Sequence, residues 1–162
     1  MNPVMLATDG SPAAADATRV AIEVAGALKA PLLVVSCWES EYPPVAIGFA
    51  PVIPDLDRIG REQAEAVAEE AAGAAREAGL SALAFVRRGD PVREICAIAA
   101  GRDVRLIVLG SHGWGALRRF VFGSVSTGVL HHSRQPVLVV PSAQVAAEVN
   151  GQRHAAEVGG GR

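Results

Sequence analysis

Residues 106–113 read Leu106-Ile107-Val108-Leu109-Gly110-Ser111-His112-Gly113. Nine residues later the chain reads Gly123-Ser124-Val125-Ser126. The apolar run predicts a buried strand over Arg105 to Leu109, and the residues from Val125 to His132 predict a helix. Between them lie glycines, which lack a Cβ and let backbone approach a bound group closely. A helix N-terminus directly after such a loop offers unbonded amides and a positive dipole end to an anion. The arrangement is that of a phosphate cradle. Lys29 is the only lysine, however, and it follows no glycine loop. A P-loop, whose lysine reaches the phosphates, is therefore excluded.

Outward from this stretch the chain alternates strands and helices. Val4 to Thr8 predicts a strand, and Asp9-Gly10-Ser11-Pro12 a turn with Ser11 as N-cap and Pro12 opening the helix. Ala13 to Leu28 predicts a helix whose apolar positions Val20, Val24 and Leu28 recur every fourth residue. Pro31 to Cys37 is apolar on both faces, as a strand covered by helices on each side should be. Trp38 to Pro54 is proline-rich and predicts a long loop. Asp55 to Gly79 predicts a helix ending at Gly79. Ala82 to Arg88 predicts a strand with Ala84 and Val86 on one face. Gly89-Asp90-Pro91 repeats the cap-and-proline turn ahead of a helix over Val92 to Ala100, with Ile95, Ile98 and Ala99 buried. Pro136 to Val140 predicts a fifth strand.

This alternation implies an α/β fold, an open five-stranded parallel sheet with right-handed crossovers and helices on both faces. Ligands bind such sheets beyond the carboxyl ends of the strands, where the strand order reverses. In order 3-2-1-4-5 the reversal brings Thr8-Asp9 beside Gly110. In the flavodoxin-like order 2-1-3-4-5 it would leave Gly110 one strand away. The sequence favours 3-2-1-4-5. No G-x-G-x-x-G follows the first strand, so a dinucleotide site of the usual type is unsupported.

The chain has 162 residues, half of them hydrophobic, and a net charge of −2. These values fit one domain, expected over residues 1–141, and give no basic balance for nucleic acid. Residues 142–162 are expected to form a disordered tail. No apolar run approaches the ~20 residues of a membrane span, and a cytoplasmic protein without membrane contact is expected. Cys37 and Cys96 are expected as buried, reduced thiols. The four histidines lack metal-ligand spacing, so no metal site is expected.

With these motifs assembled, the chain resembles the universal stress protein family, in its ATP-binding subgroup. The family signature is glycine, two residues, glycine, nine residues, glycine and then serine or threonine. Gly110, Gly113, Gly123 and Ser124 match it without a gap. The opening VMLATDGSPAA, the Gly89-Asp90-Pro91 turn and the closing GSVSTGVLHHSRQPVLVVP agree with it over residues 1–141. The resemblance implies the 3-2-1-4-5 sheet of the adenine nucleotide α-hydrolase-like folds and a stress-response regulator or sensor that binds ATP, with Mg²⁺ carried on the phosphates. It implies that Ala7 and Thr8 line the base pocket and that Asp9 stands near the ribose and metal–phosphate region. The backbone of Cys37 would bond adenine. Gly110, Ser111, His112 and Gly113 would surround the ribose and phosphates, and Gly123, Ser124, Val125 and Ser126 would hold phosphate oxygens.

Each position also has a plainer reading. Ser124 is expected as the N-cap of its helix, a geometry it shares with a phosphate ligand. Arg118 and Arg119 read as a solvated face, or as a bidentate fork reaching phosphates, His131-His132 as a favourable pair at a helix C-terminus, and Trp38 as either a base stack or packing. Trp114 flanks the loop in sequence. No nucleophile–base pair is evident, so no catalytic residue is assigned; slow ATP hydrolysis, AMP or cyclic AMP binding and a ligand-free interaction module stand as alternatives. In the favoured order the last strand is an uncharged apolar edge, which invites pairing with another chain. The resemblance implies a homodimer through Pro136 to Val140.

Overall fold

The computed structural model describes residues 2–39, 55–111 and 123–142. Nine elements follow one another: β1 (Val4–Ala7), α1 (Pro12–Ala27), β2 (Leu32–Trp38), α2 (Leu56–Glu77), β3 (Ala82–Arg88), α3 (Pro91–Gly101), β4 (Leu106–Gly110), α4 (Ser124–His132) and β5 (Val137–Val140). The sheet is parallel throughout with order β3-β2-β1-β4-β5. Val4 lies opposite both Leu32 and Leu106, and Ala7 opposite Val35 and Leu109. The central strand is thus the first to end at the carboxyl side of the sheet, and its two neighbours run past it.

Side-chain alternation divides the core into two layers. Val4, Leu6, Leu32, Val34 and Val108 face α1 and α2, whereas Met5, Leu33, Val35, Ile107 and Leu109 pack with Ile95, Ile98 and Ala99 of α3 and Val129 of α4. The fully inward face of α1 is alanine: Ala13, Ala14, Ala17, Ala21 and Ala25 are buried, and the expected Val20, Val24 and Leu28 pack at its margin. In α2 the buried residues are again alanines. Small side chains let both helices sit close on the sheet, and one contact shows how close. A Cβ added to Gly110 would lie 2.9 Å from the backbone oxygen of Ala13.

The cap chemistry follows the sequence at three helices. Ser11, Asp55 and Asp90 each accept an amide of the first turn, and Pro12 and Pro91 open their helices. At the C-terminus of α1 the left-handed position, normally glycine, is occupied by Lys29 with φ +50°. Its amide donates to Gly26 O at 3.1 Å and that of Ala30 to Ala25 O at 2.9 Å. Relief of the left-handed strain makes Lys29→Gly stabilising by about 1 kcal/mol, a rise of roughly 2–4 °C in Tm by calorimetry.

Candidate functional site

At the end of β1 the chain turns sharply. Thr8 is buried, its amide still donates to Val35 O at 2.9 Å, and its Oγ1 accepts the amide of Gly10. Asp9 is exposed, and its Oδ1 accepts the Ser11 amide at 3.0 Å. Gly10 has φ +73°, and a Cβ there would meet Cγ2 of Val67 at 2.8 Å. Here glycine is required twice, by backbone conformation and by the α2 side chain seated on the turn.

Beside it, Thr8 follows Ala7 just as Gly110 follows Leu109, so the ends of β1 and β4 are neighbours as the favoured order requires. Ser111 continues the β4 ladder, donating its amide to Val140 O at 2.8 Å. Its carbonyl then accepts the Gly123 amide at 2.7 Å and the Ser126 hydroxyl at 3.1 Å. These bonds fasten the start of α4 to the end of β4. Gly123, not Ser124, is the N-cap, and Ser124 is the first helical residue. The Ser126 hydroxyl also lies 3.0 Å from Gly123 O, and its side chain is buried. Its proton is turned inward to backbone carbonyls.

The cap of α4 differs from the other three in having no side-chain hydrogen bond. The first intrahelical bond runs from Thr127 to Gly123 O, so the amides of Ser124, Val125 and Ser126 precede it. Three donors thus stand at the end of β4, without a capping oxygen from the N-cap residue.

On the other side of β1, Cys37 is positioned by the alternation of peptide groups along β2. Pro31 O and Val35 O accept amides of Val4 and Thr8, so odd-numbered residues of β2 turn their peptide groups toward β1. Cys37 is next in that series and lies past Ala7, the last paired residue of β1. Its side chain is half-buried rather than fully buried, as is that of Cys96, and both thiols are free. Burial, with Glu94, Asp90 and Glu39 nearby, pushes the Cys37 thiol up to about 12. Burial and Asp90 likewise raise Cys96. Both stay protonated near neutral pH and are poor nucleophiles there.

Trp38 takes its packing alternative. It lies against Gly60 of α2, and its Nε1 donates to Asp57 Oδ1 at 3.2 Å, while Asp57 also pairs with Arg88 at 3.1 Å. His132 Nδ1 lies 2.8 Å from Gly128 O at the end of α4. His112, Gly113, Trp114, Arg118 and Arg119 lie outside the described residues, as do most of the 38–54 loop and of the tail. Among the described residues no group of three or more His, Cys, Asp or Glu side chains gathers to hold a metal ion, and no helix is long and apolar enough to cross a membrane.

Sheet order, glycine turns and an anchored helix start define an open, doubly wound α/β domain. The model of the universal stress protein family matches residues 1–141, and the chain belongs to that family. It is similar to universal stress protein Rv2005c of Mycobacterium tuberculosis, 33% identical over 138 residues, 85% of this chain and 44% of that protein. The chain thus spans less than half the length of that relative. It is similar to universal stress protein YxiE of Bacillus subtilis, 31% identical over 145 residues, 86% of this chain and 98% of that one. Among solved structures it is similar to a universal stress protein in complex with cAMP, with a TM-score of 0.66 and 26% identity. That match covers 88% of this chain and 98% of the other.

Proposed function

We propose that the chain binds ATP in the crevice between the ends of β1 and β4 and serves as a nucleotide-dependent regulator of a stress response. The observation that carries the reading is the start of α4. Its first amides receive no side-chain cap from Gly123, and the helix start is anchored through Gly123 and Ser126 to Ser111 at the end of β4. An anion satisfies such donors and meets the positive end of the helix dipole. In this reading phosphate oxygens meet the amides of Ser124, Val125 and Ser126 and the Ser124 hydroxyl. The Ser126 hydroxyl shapes the site instead of touching ligand. Adenine meets the peptide groups of Cys37, with Ala7 and Thr8 beneath it. Gly110 and Ser111 border the ribose, and His112 and Gly113 complete the loop.

Mg²⁺ would be held by the phosphates, because Asp9 is a single carboxylate at this end of β1 and its Oδ1 already accepts an amide. Phosphoryl transfer also needs a charge clamp and a group that orients water, and the described residues at this site favour holding a nucleotide over consuming it. The relative solved with cAMP favours a second reading, in which a monophosphate is the ligand. Calorimetry with ATP, AMP and cyclic AMP separates the two, and tightest binding of ATP is expected. Failure of all three to bind would leave an interaction module without ligand.

The unit carrying this function is residues 1–141, with residues 142–162 appended as a tail, in the cytoplasm. β5 is an edge strand, and Val137, Leu138 and Val139 are half-buried with no charge among them. Pairing through β5 in a homodimer would cover that edge. Val139→Glu is expected to convert the dimer to monomer in light scattering, and an unchanged dimer would put the interface elsewhere.

A further inference from the structure

The opposite edge of the sheet, β3, is built differently. Leu32 donates to Ser81 O and Gly89 donates to Trp38 O, so odd-numbered positions bond to β2. The main-chain groups of Ala82, Ala84, Val86 and Arg88 therefore turn outward. Arg76 covers the first of them, its Nε donating to Ala82 O at 3.2 Å while Glu69 holds its guanidinium. Beyond Ala82 the edge continues.

On the α3 side of β3, Leu83, Phe85 and Arg87 share one face. Leu83 is 66% exposed. Guanidinium groups of Arg87 and of Arg102, the C-cap of α3, lie 4.6 and 4.4 Å from the centre of the Phe85 ring. Stacking on the ring accounts for their position. Among the described residues neither is paired with a carboxylate, in contrast to Arg19, Arg58, Arg61, Arg76 and Arg88. Among the described residues, an open strand edge, an exposed leucine and two positive charges without a carboxylate partner thus adjoin one another.

We propose that this edge and face dock an extended peptide segment of a partner protein, added as a strand beside β3. It would carry an apolar residue against Leu83 and carboxylates against Arg87 and Arg102. Main-chain groups on an open edge are satisfied in register by another peptide backbone. The charge selects an acidic segment and argues against a second copy of β3, whose sequence ALAFVRR brings two arginines and no carboxylate. The net charge of −2 argues against a polyanion surface such as nucleic acid or membrane.

The test uses the full chain, labelled with ¹⁵N, and a blocked peptide of about eight residues. In the peptide, threonine alternates with leucine and glutamates along one face. Saturable amide shifts confined to residues 82–88 and the C-terminal end of α3 are expected. Arg87→Glu/Arg102→Glu should weaken binding about tenfold or more and bind the lysine-for-glutamate peptide instead. If that variant melts early, the same two peptides on the unaltered chain carry the charge test. Methylating alternate peptide nitrogens of the probe should abolish binding. The proposal is overturned if no shifts saturate, or if the glutamate and lysine peptides bind the unaltered chain equally. It is also overturned if phosphatidylserine vesicles move these residues and the peptide does not.

Discussion

Ser124→Glu is expected to raise thermal stability while weakening ATP binding roughly 30- to 100-fold, the equivalent of losing a charge-assisted contact of about 2–3 kcal/mol. Ser124 is exposed at the first helical position of α4, behind a cap that supplies no side-chain oxygen. A carboxylate there meets the positive end of the helix and contributes about 0.3–1 kcal/mol. It does so by answering the same partial charge that the proposed phosphates would answer, and it repels them. Stability and binding therefore move in opposite directions, which separates loss of a ligand site from loss of fold. Thermal melts check both at once: ATP should raise the Tm of the unaltered chain, and the variant should start higher and respond little. A variant that binds ATP undiminished would remove phosphate from this helix.

Gly110→Ala is expected to destabilise by about 1–3 kcal/mol, the usual range for overpacking. The added methyl would lie 2.9 Å from Ala13 O and 3.3 Å from the Ala14 amide nitrogen. Those atoms belong to the first turn of α1, whose buried face is alanine and leaves little slack. Relief requires α1 to move off β4, which also shifts the Asp9-Gly10-Ser11 turn. Urea denaturation measures the loss, and an unchanged midpoint would contradict the tight seating of α1. Gly110 thus has a packing reason to be glycine that holds with or without a nucleotide.

The fold was legible because local signals agreed with one another. Ser11-Pro12 and Asp90-Pro91 marked helix starts through side chains that cap by themselves. The apolar runs marked strands, and the loop-like ends at Asp9 and Gly110 selected the observed sheet order. What the sequence left hidden depends on contacts between distant residues. Valines in α1 outrank alanines in hydrophobicity, yet close approach to the sheet puts the alanines innermost. Ser124 has the right chemistry for an N-cap, but the bond from Gly123 to Ser111 O begins the helix one residue earlier than that reading allows. The inward turn of the Ser126 hydroxyl depends on the β4 carbonyl it reaches. Trp38 was ambiguous for the same reason, since its partner Asp57 lies 19 positions away across the loop.

In the proposed complex an adenine nucleotide sits between the ends of β1 and β4, with its phosphates on the start of α4. Titrating ATP into the ¹⁵N-labelled full chain and following backbone amides tests it directly. Saturable shifts are expected at Cys37, Gly110, Ser124, Val125 and Ser126, with the amides of β3 unmoved. Saturable shifts elsewhere, or none at millimolar ATP, would contradict it.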